Sequence, residues 1–218
     1  MRELHFFDPN GEVGVLERTL PHWSQSGVVC FISFRTFDSM PSSEIERFHA
    51  DRRHWLRCHR IDPDFEDWRS ELEELSQTKQ GEFYRTFSKR WHASLDSGWG
   101  ACLLARPDLS KIVSDSMLFF DGNRYELTDF VVMPNHCHLL VAFEDGDQML
   151  AQCENWKRYT ARAINQMVGR TGKFWQQDGF DHLVRSVEQF EHFRRYIANN
   201  PVKANLSQTS FHHYTKAK

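Results

Sequence analysis

Two histidines, His136 and His138, stand two residues apart inside the apolar run VVMPNHCHLLVAF at 131–143. On a β-strand, side chains i and i+2 share a face. The imidazoles therefore project together, while Cys137, Leu139, Val141 and Phe143 face the other way. Adjacent imidazoles suit a divalent cation; they also suit a half-exposed strand with ordinary hydrogen bonds, and the motif alone leaves both open. No second ligand pair at finger-like spacing completes the closed tetrahedron of a structural zinc, and Cys137, facing away, is a poor third ligand. Pro134 and Asn135 interrupt the run. Proline donates no ladder hydrogen bond, and Pro-Asn suits the centre of a tight turn. Residues 124–143 thus read as two strands meeting at that step.

A second group lies in FRRYIANNPVKANL, 193–206. At helical spacing Tyr196 and Asn200 are i and i+4 and share a face, with Phe190, Phe193 and Ile197 as the neighbouring apolar stripe. A tyrosine beside an amide, followed by Lys203 and Asn205, has the composition for chemistry on a phosphate. It equally describes a tyrosine at a core edge and an asparagine stopping a helix before Pro201. A rival tyrosine, Tyr159, follows Trp156 by three residues, which predicts core packing for it. Lys157, Arg158 and Arg162 on the same helix could hold a nucleic-acid backbone or form a solvated face. KFWQQDGFDHLVRS concentrates Phe174, Trp175, Phe180 and His182 with Lys173 and Arg185, a composition that fits stacking on unpaired bases or an aromatic core.

Charge is uneven. Residues 151–218 carry 11 Lys and Arg against 5 Asp and Glu, and residues 1–150 carry 16 against 25. A basic C-terminal third suits a phosphate-rich partner or a solvated helix face. The five cysteines contain no CxxC, the start has no apolar signal-like stretch, and no run is long enough to span a membrane. A cytoplasmic chain with free thiols is the expectation.

The elements that must position these residues follow from periodicity. GVVCFISFRT, 27–36, reads as a buried strand. Ser43 and Glu46 have capping-box spacing, and Pro63 opens a second helical pattern with Trp68, Leu72 and Leu75 in an acidic stretch (Asp62, Asp64, Glu66, Asp67, Glu71, Glu73, Glu74). The region from about 38 to 105 reads as a mainly helical insertion in a single 218-residue domain. Pro107 then starts an amphipathic helix through Leu109, Ile112, Val113, Met117 and Phe120. After the two strands come a helix at about 150–168, a strand-like segment and a helix from Val187, with Ser186 and Gln189 as a second capping box. Strand, helix, two strands, helix, strand, helix indicates an α+β sandwich on an antiparallel sheet.

Taken in order, VVMPNHCHLLV, the NWK helix, GKFWQ, FDHLVR and YIANNPVKANL resemble the REP-associated tyrosine transposases, HUH single-strand transposases with one catalytic tyrosine. The resemblance covers more than half the chain; the insertion falls outside it. It implies a ferredoxin-like α+β sheet, His136 and His138 as a metal-binding pair for Mg²⁺ or Mn²⁺, Tyr196 as nucleophile, and Asn200 where relatives supply a third ligand, often a glutamine. The implied activity is cleavage and rejoining of single-stranded DNA at hairpins through a 5′-phosphotyrosine, by a nucleoid-associated bacterial protein working as monomer or homodimer. Lys157, Arg158, Arg162, Trp175, His182, Arg185, Arg194, Arg195 and Lys203 are the DNA-binding candidates. A domesticated relative that binds hairpin DNA or structured RNA without cutting is the alternative; a metal-dependent hydrolase using water is a third.

Overall fold

The computed structural model describes residues 4–17, 21–65, 67–177 and 179–217. Glu66 and the side chain of Phe180 lie outside the described residues. The chain divides into two compact units, one of Met1–Ser39 with Ala101–Lys218 and one of Met40–Gly100.

The first unit opens with a two-stranded ribbon, β1 (Gly14–Glu17) and β2 (Pro21–Ser24), followed by β3 (Val29–Arg35). The second unit is helical: α1 (Ser42–Cys58), α2 (Trp68–Glu73) and α3 (Gln77–Asp96). Leu56, Ile61, Leu72, Phe83 and Phe87 form its own buried cluster. The first unit resumes with α4 (Pro107–Leu118), β4 (Tyr125–Val132), β5 (His136–Phe143), α5 (Gly146–Val168), β6 (Phe180–Leu183), α6 (Val187–Lys203) and β7 (His212–Thr215).

The five-stranded sheet has the order β6-β3-β5-β4-β7, and every pairing is antiparallel. Without β7 this is the split βαββαβ arrangement of ferredoxin-like folds, the α+β class the periodicity predicts. β5 is central and buried along its whole length, which is why it reads as a nearly continuous apolar run. Cys30, Ile32, Phe34, Cys137, Leu139 and Val141 meet Leu109, Val113 and Met117 of α4 and Met149, Trp156 and Ile164 of α5 in one core. The opposite face carries Val29, Phe31, Val131, Leu140 and Ala142 against Phe190 and Ile197 of α6. By the two-residue period, His136 and His138 belong to this α6 face.

Several local expectations change. α1 starts at Ser42 with Pro41 as its N-cap and no side-chain cap, so Ser43 already lies inside the helix and the Ser43–Glu46 box does not form. Asp62 accepts from the Asp64 amide at 3.0 Å; this Asx turn delays the next helix from Pro63 to Trp68. Ser186 does cap α6, accepting from the Gln189 amide at 3.2 Å. That helix does not stop before Pro201 but runs through it to Lys203. It ends because Asn205 adopts φ 51° and the amides of Asn205 and Leu206 return to the carbonyls of Val202 and Pro201 at 3.0 Å each, a Schellman closure. Of the strand-like KFWQQDGFDHLVRS only Phe180–Leu183 is a strand; Trp175 makes an isolated bridge to Thr36. No helix among the described residues is long and apolar enough to cross a membrane.

Candidate active site

The Pro134-Asn135 step is a two-residue hairpin. The Met133 amide donates to the His136 carbonyl at 2.8 Å, so β5 begins at His136. The turn's outer carbonyls are also used: Pro134 accepts from the Leu104 amide at 3.0 Å and Asn135 from the Thr36 amide at 2.8 Å. This fixes the register in which His138 lies opposite Ser33, and His136 opposite Arg35, on β3.

Both imidazoles are buried, His136 at 1 % and His138 at 0 % exposure, so the half-exposed strand does not describe them. Buried polar groups need partners. Asn135 Oδ1 meets His136 Nδ1 at 2.7 Å, and Ser33 Oγ meets His138 Nδ1 at 2.5 Å. An amide oxygen only accepts, so His136 carries its proton on Nδ1 and its lone pair on Nε2. This is the outer-shell arrangement that orients metal-binding histidines. The rings lie 4.8 Å apart, centroid to centroid.

α6 brings Tyr196 to this pair. Its hydroxyl is 3.4 Å from His138 Nε2, and the two rings are 5.2 Å apart. Phe31 organises the group: it stacks on His138 at 5.4 Å and on Phe193 at 4.2 Å, and meets Tyr196 edge-on at 5.9 Å. The Lys203 ammonium lies 5.1 Å over the Tyr196 ring. One turn beyond Tyr196, Asn200 is fully buried, and neither atom of its amide has a hydrogen-bond partner. Such a group is costly unless something else satisfies it.

Two imidazoles whose Nδ1 atoms are taken by Asn135 and Ser33, leaving Nε2 as the presented nitrogen, and an orphaned amide have the donor types that could hold a divalent cation of the Mg²⁺ or Mn²⁺ kind. Among the described residues, no three of His, Cys, Asp or Glu converge as a metal-binding group, so an asparagine would have to complete the set. Cys137 faces the other core and donates to the Phe34 carbonyl at 3.6 Å. Burial pushes its thiol up, and that of Cys153 to about 12, so both stay protonated.

The other candidates are scattered. Trp175 is 6 % exposed, edge-on to Phe34 at 5.1 Å, and its Nε1 donates to Thr160 at 2.8 Å; it is a core residue on the far side of the sheet and cannot stack on a base. Tyr159 reverses its expectation: it is 61 % exposed, because the buried stripe of α5 runs through Gln152, Trp156, Thr160 and Ile164 and Tyr159 falls beside it. Lys157 donates to the Gln177 carbonyl, and Arg158 to Asn155 at 2.6 Å. They and the exposed Arg162 sit on α5, which packs against the sheet face turned away from the histidines. Arg194 is held by Asp129 at 3.1 Å and Glu191 at 3.3 Å. His182 is half-buried, edge-on to Phe193 at 5.7 Å and 3.0 Å from the Gln189 amide; burial lowers its pKa. Arg185, Arg195 and Lys203 are exposed.

The sequence by itself does not single out Asn135, Ser33, Phe31 or Arg35 as site residues. Asn135 reads there only as a turn residue, and the β3 residues become neighbours of the histidines only once the register is known.

Residues 109–200 match the family described as transposase IS200 like. The IS200-like stretch begins in α4 and ends on Asn200, so it contains His136, His138, Tyr196 and Asn200, whereas β3 lies outside it. A solved structure of a REP-associated tyrosine transposase bound to a REP hairpin is similar at 13 % identity and a TM-score of 0.45, covering 88 % of this chain and 77 % of that one. A search of curated proteins returns no match.

Proposed function

We propose that the chain is a single-strand DNA transesterase that cuts and rejoins DNA at hairpin sites through a 5′-phosphotyrosine on Tyr196. The observation that carries this reading is the meeting of the Tyr196 hydroxyl with the buried His136–His138 pair, 3.4 Å from His138 Nε2, inside the IS200-like stretch. The hairpin as substrate follows from the motif resemblance to REP-associated tyrosine transposases.

His136, His138 and Asn200 are the residues that would hold Mg²⁺ or Mn²⁺. When bound, the cation would neutralise charge on a non-bridging oxygen of the scissile phosphate. Asn135 and Ser33 hold the two imidazoles with Nε2 as the presented nitrogen. Phe31 and Lys203 hold the Tyr196 ring so that its hydroxyl stays at that edge. Attack forms the bond from the Tyr196 oxygen to phosphorus and breaks the bond from phosphorus to O3′. The phenolic proton ends on the released 3′ oxygen. One phosphodiester replaces another, so no nucleotide cofactor is consumed and the reverse attack rejoins the strand. Arg185, just before α6, and Arg195 and Lys203 on α6 are exposed cations suited to backbone phosphates.

A non-cleaving hairpin or RNA binder would have no use for a tyrosine hydroxyl poised at a buried histidine pair. The test is a panel of hairpin oligonucleotides incubated with the protein and Mn²⁺ and resolved on a denaturing gel. A covalent adduct lost in Tyr196→Phe supports the transesterase. Binding without an adduct across the panel supports the binding module, and cleavage that survives Tyr196→Phe supports hydrolysis by water.

A further inference from the structure

β3 leaves the sheet beside the histidine that begins β5. Arg35 is the cross-strand neighbour of His136, and the odd-numbered residues of β3 share the face of the histidine pair. Arg35 Nη1 donates to Ser39 at 3.1 Å, which steadies the guanidinium. Burial lowers its pKa to about 10, so it remains a cation at neutral pH.

Two residues further on, the Phe37 ring is 50 % exposed. Its backbone is pinned: the Phe37 amide donates to the Phe174 carbonyl at 2.7 Å, and Gln176 Nε2 donates to the Phe37 carbonyl at 2.8 Å. The preceding amide, of Thr36, is the one bound to Asn135, next to His136. The Lys173 ammonium stands 5.9 Å from the Phe37 ring centroid. Single exposed apolar side chains are ordinary. This one differs in being rigidly presented, flanked by a cation, and set at the end of the sheet where the histidine pair starts. A ring for a base face and cations for its phosphates is the composition of a single-strand nucleotide site.

We infer that Arg35, Phe37 and Lys173 form a subsite for one unpaired nucleotide next to the phosphodiester at the histidine pair. Phe37 stacks on the base, and Arg35 and Lys173 hold its flanking phosphates. The subsite rests on the proposed reading of the histidine pair and adds the position at which the unpaired flank of a hairpin is gripped.

The test uses the full chain and fluorescence anisotropy on three labelled oligonucleotides: a hairpin with unpaired 5′ and 3′ flanks, the same hairpin without flanks, and the flanked hairpin with abasic flanks. Phe37→Ala should weaken binding of the flanked hairpin about tenfold and leave the flankless hairpin unchanged. Abasic flanks should weaken the wild type by a similar factor and Phe37→Ala no further. Phe37→Trp should restore affinity, and its added emission should be quenched by the flanked hairpin alone. Phe37→Ala binding all three like the wild type, or losing equally on all three, overturns the subsite; so does an unquenched Phe37→Trp. If Phe37→Ala keeps wild-type affinity and still forms the Tyr196 adduct, the subsite falls and the transesterase stands. If the wild type binds none of the three, both fall.

Discussion

The Tyr196 hydroxyl and His138 Nε2 are 3.4 Å apart although 58 residues separate them in sequence. α6 lies on the sheet face that carries the histidines, and Phe31 packs against His138, Phe193 and Tyr196 at once. Truncating that ring should therefore harm activity more than folding. Phe31→Leu is expected to cost about 1 kcal/mol of stability but to lower the rate of adduct formation about tenfold or more, because two orientations loosen together. Thermal unfolding and single-turnover adduct kinetics on the same variant check this.

Asn200 tests whether a buried group serves function against stability. Its amide is fully buried and makes no hydrogen bond, so Asn200→Leu should leave stability equal or raise it by about 1 kcal/mol. The same variant should bind Mn²⁺ more weakly by calorimetry and form less adduct. A large loss of stability would mean that the asparagine is a structural residue.

Asn135→Ala removes the acceptor that fixes the His136 tautomer, while the hairpin's backbone hydrogen bonds remain. Mn²⁺ affinity is expected to fall about 10- to 100-fold, and the stranded, buried Nδ1–H should cost about 1–3 kcal/mol of stability. Titration calorimetry beside a denaturant melt separates the two effects.

The sequence shows how far such a site can be anticipated. The histidine face follows from the period of two, and Tyr196 with Asn200 follows from the helical i, i+4 spacing, because both are local. Ser33 and Arg35 are invisible at that level, since only the β3–β5 register sets them against His138 and His136. The end of α6 is misread at Pro201 because the local rule for a residue before proline yields to burial of Asn200 and Pro201 and to the Asn205 closure. Trp175 is misread as a stacking residue because aromatics beside basic residues look alike in a core and on a surface; the exposed ring against that same segment is Phe37.

Arg194 and Arg195 are adjacent but should behave differently. Arg194 holds Asp129, whose side chain is 3 % exposed, so Arg194→Ala strands a buried carboxylate and is expected to cost about 3 kcal/mol, partly restored by adding Asp129→Asn. Arg195 is exposed; Arg195→Ala should spare stability and reduce the salt dependence of hairpin binding by about one phosphate contact. Unfolding curves and binding measured across a salt series distinguish them.

His182 gives a pH dependence. Burial lowers its pKa in the folded chain below the ordinary 6.5, so the unfolded chain binds the proton more readily. The stability it contributes is present above pH 6.5 and is lost as pH falls through the depressed folded value. His182→Gln should flatten the fall in unfolding free energy below pH 6.5, read from denaturant melts across that range.

In the proposed reaction Tyr196 becomes covalently joined to DNA. Peptide mapping by mass spectrometry tests it most directly. Protein incubated with a cleavable hairpin and Mn²⁺ is digested with nuclease and trypsin, and the peptides carrying a residual nucleotide are sequenced. The modification is expected on Tyr196, within the peptide YIANNPVK at 196–203. A nucleotide on Tyr159, within YTAR at 159–162, or cleaved DNA with no modified peptide, would contradict it.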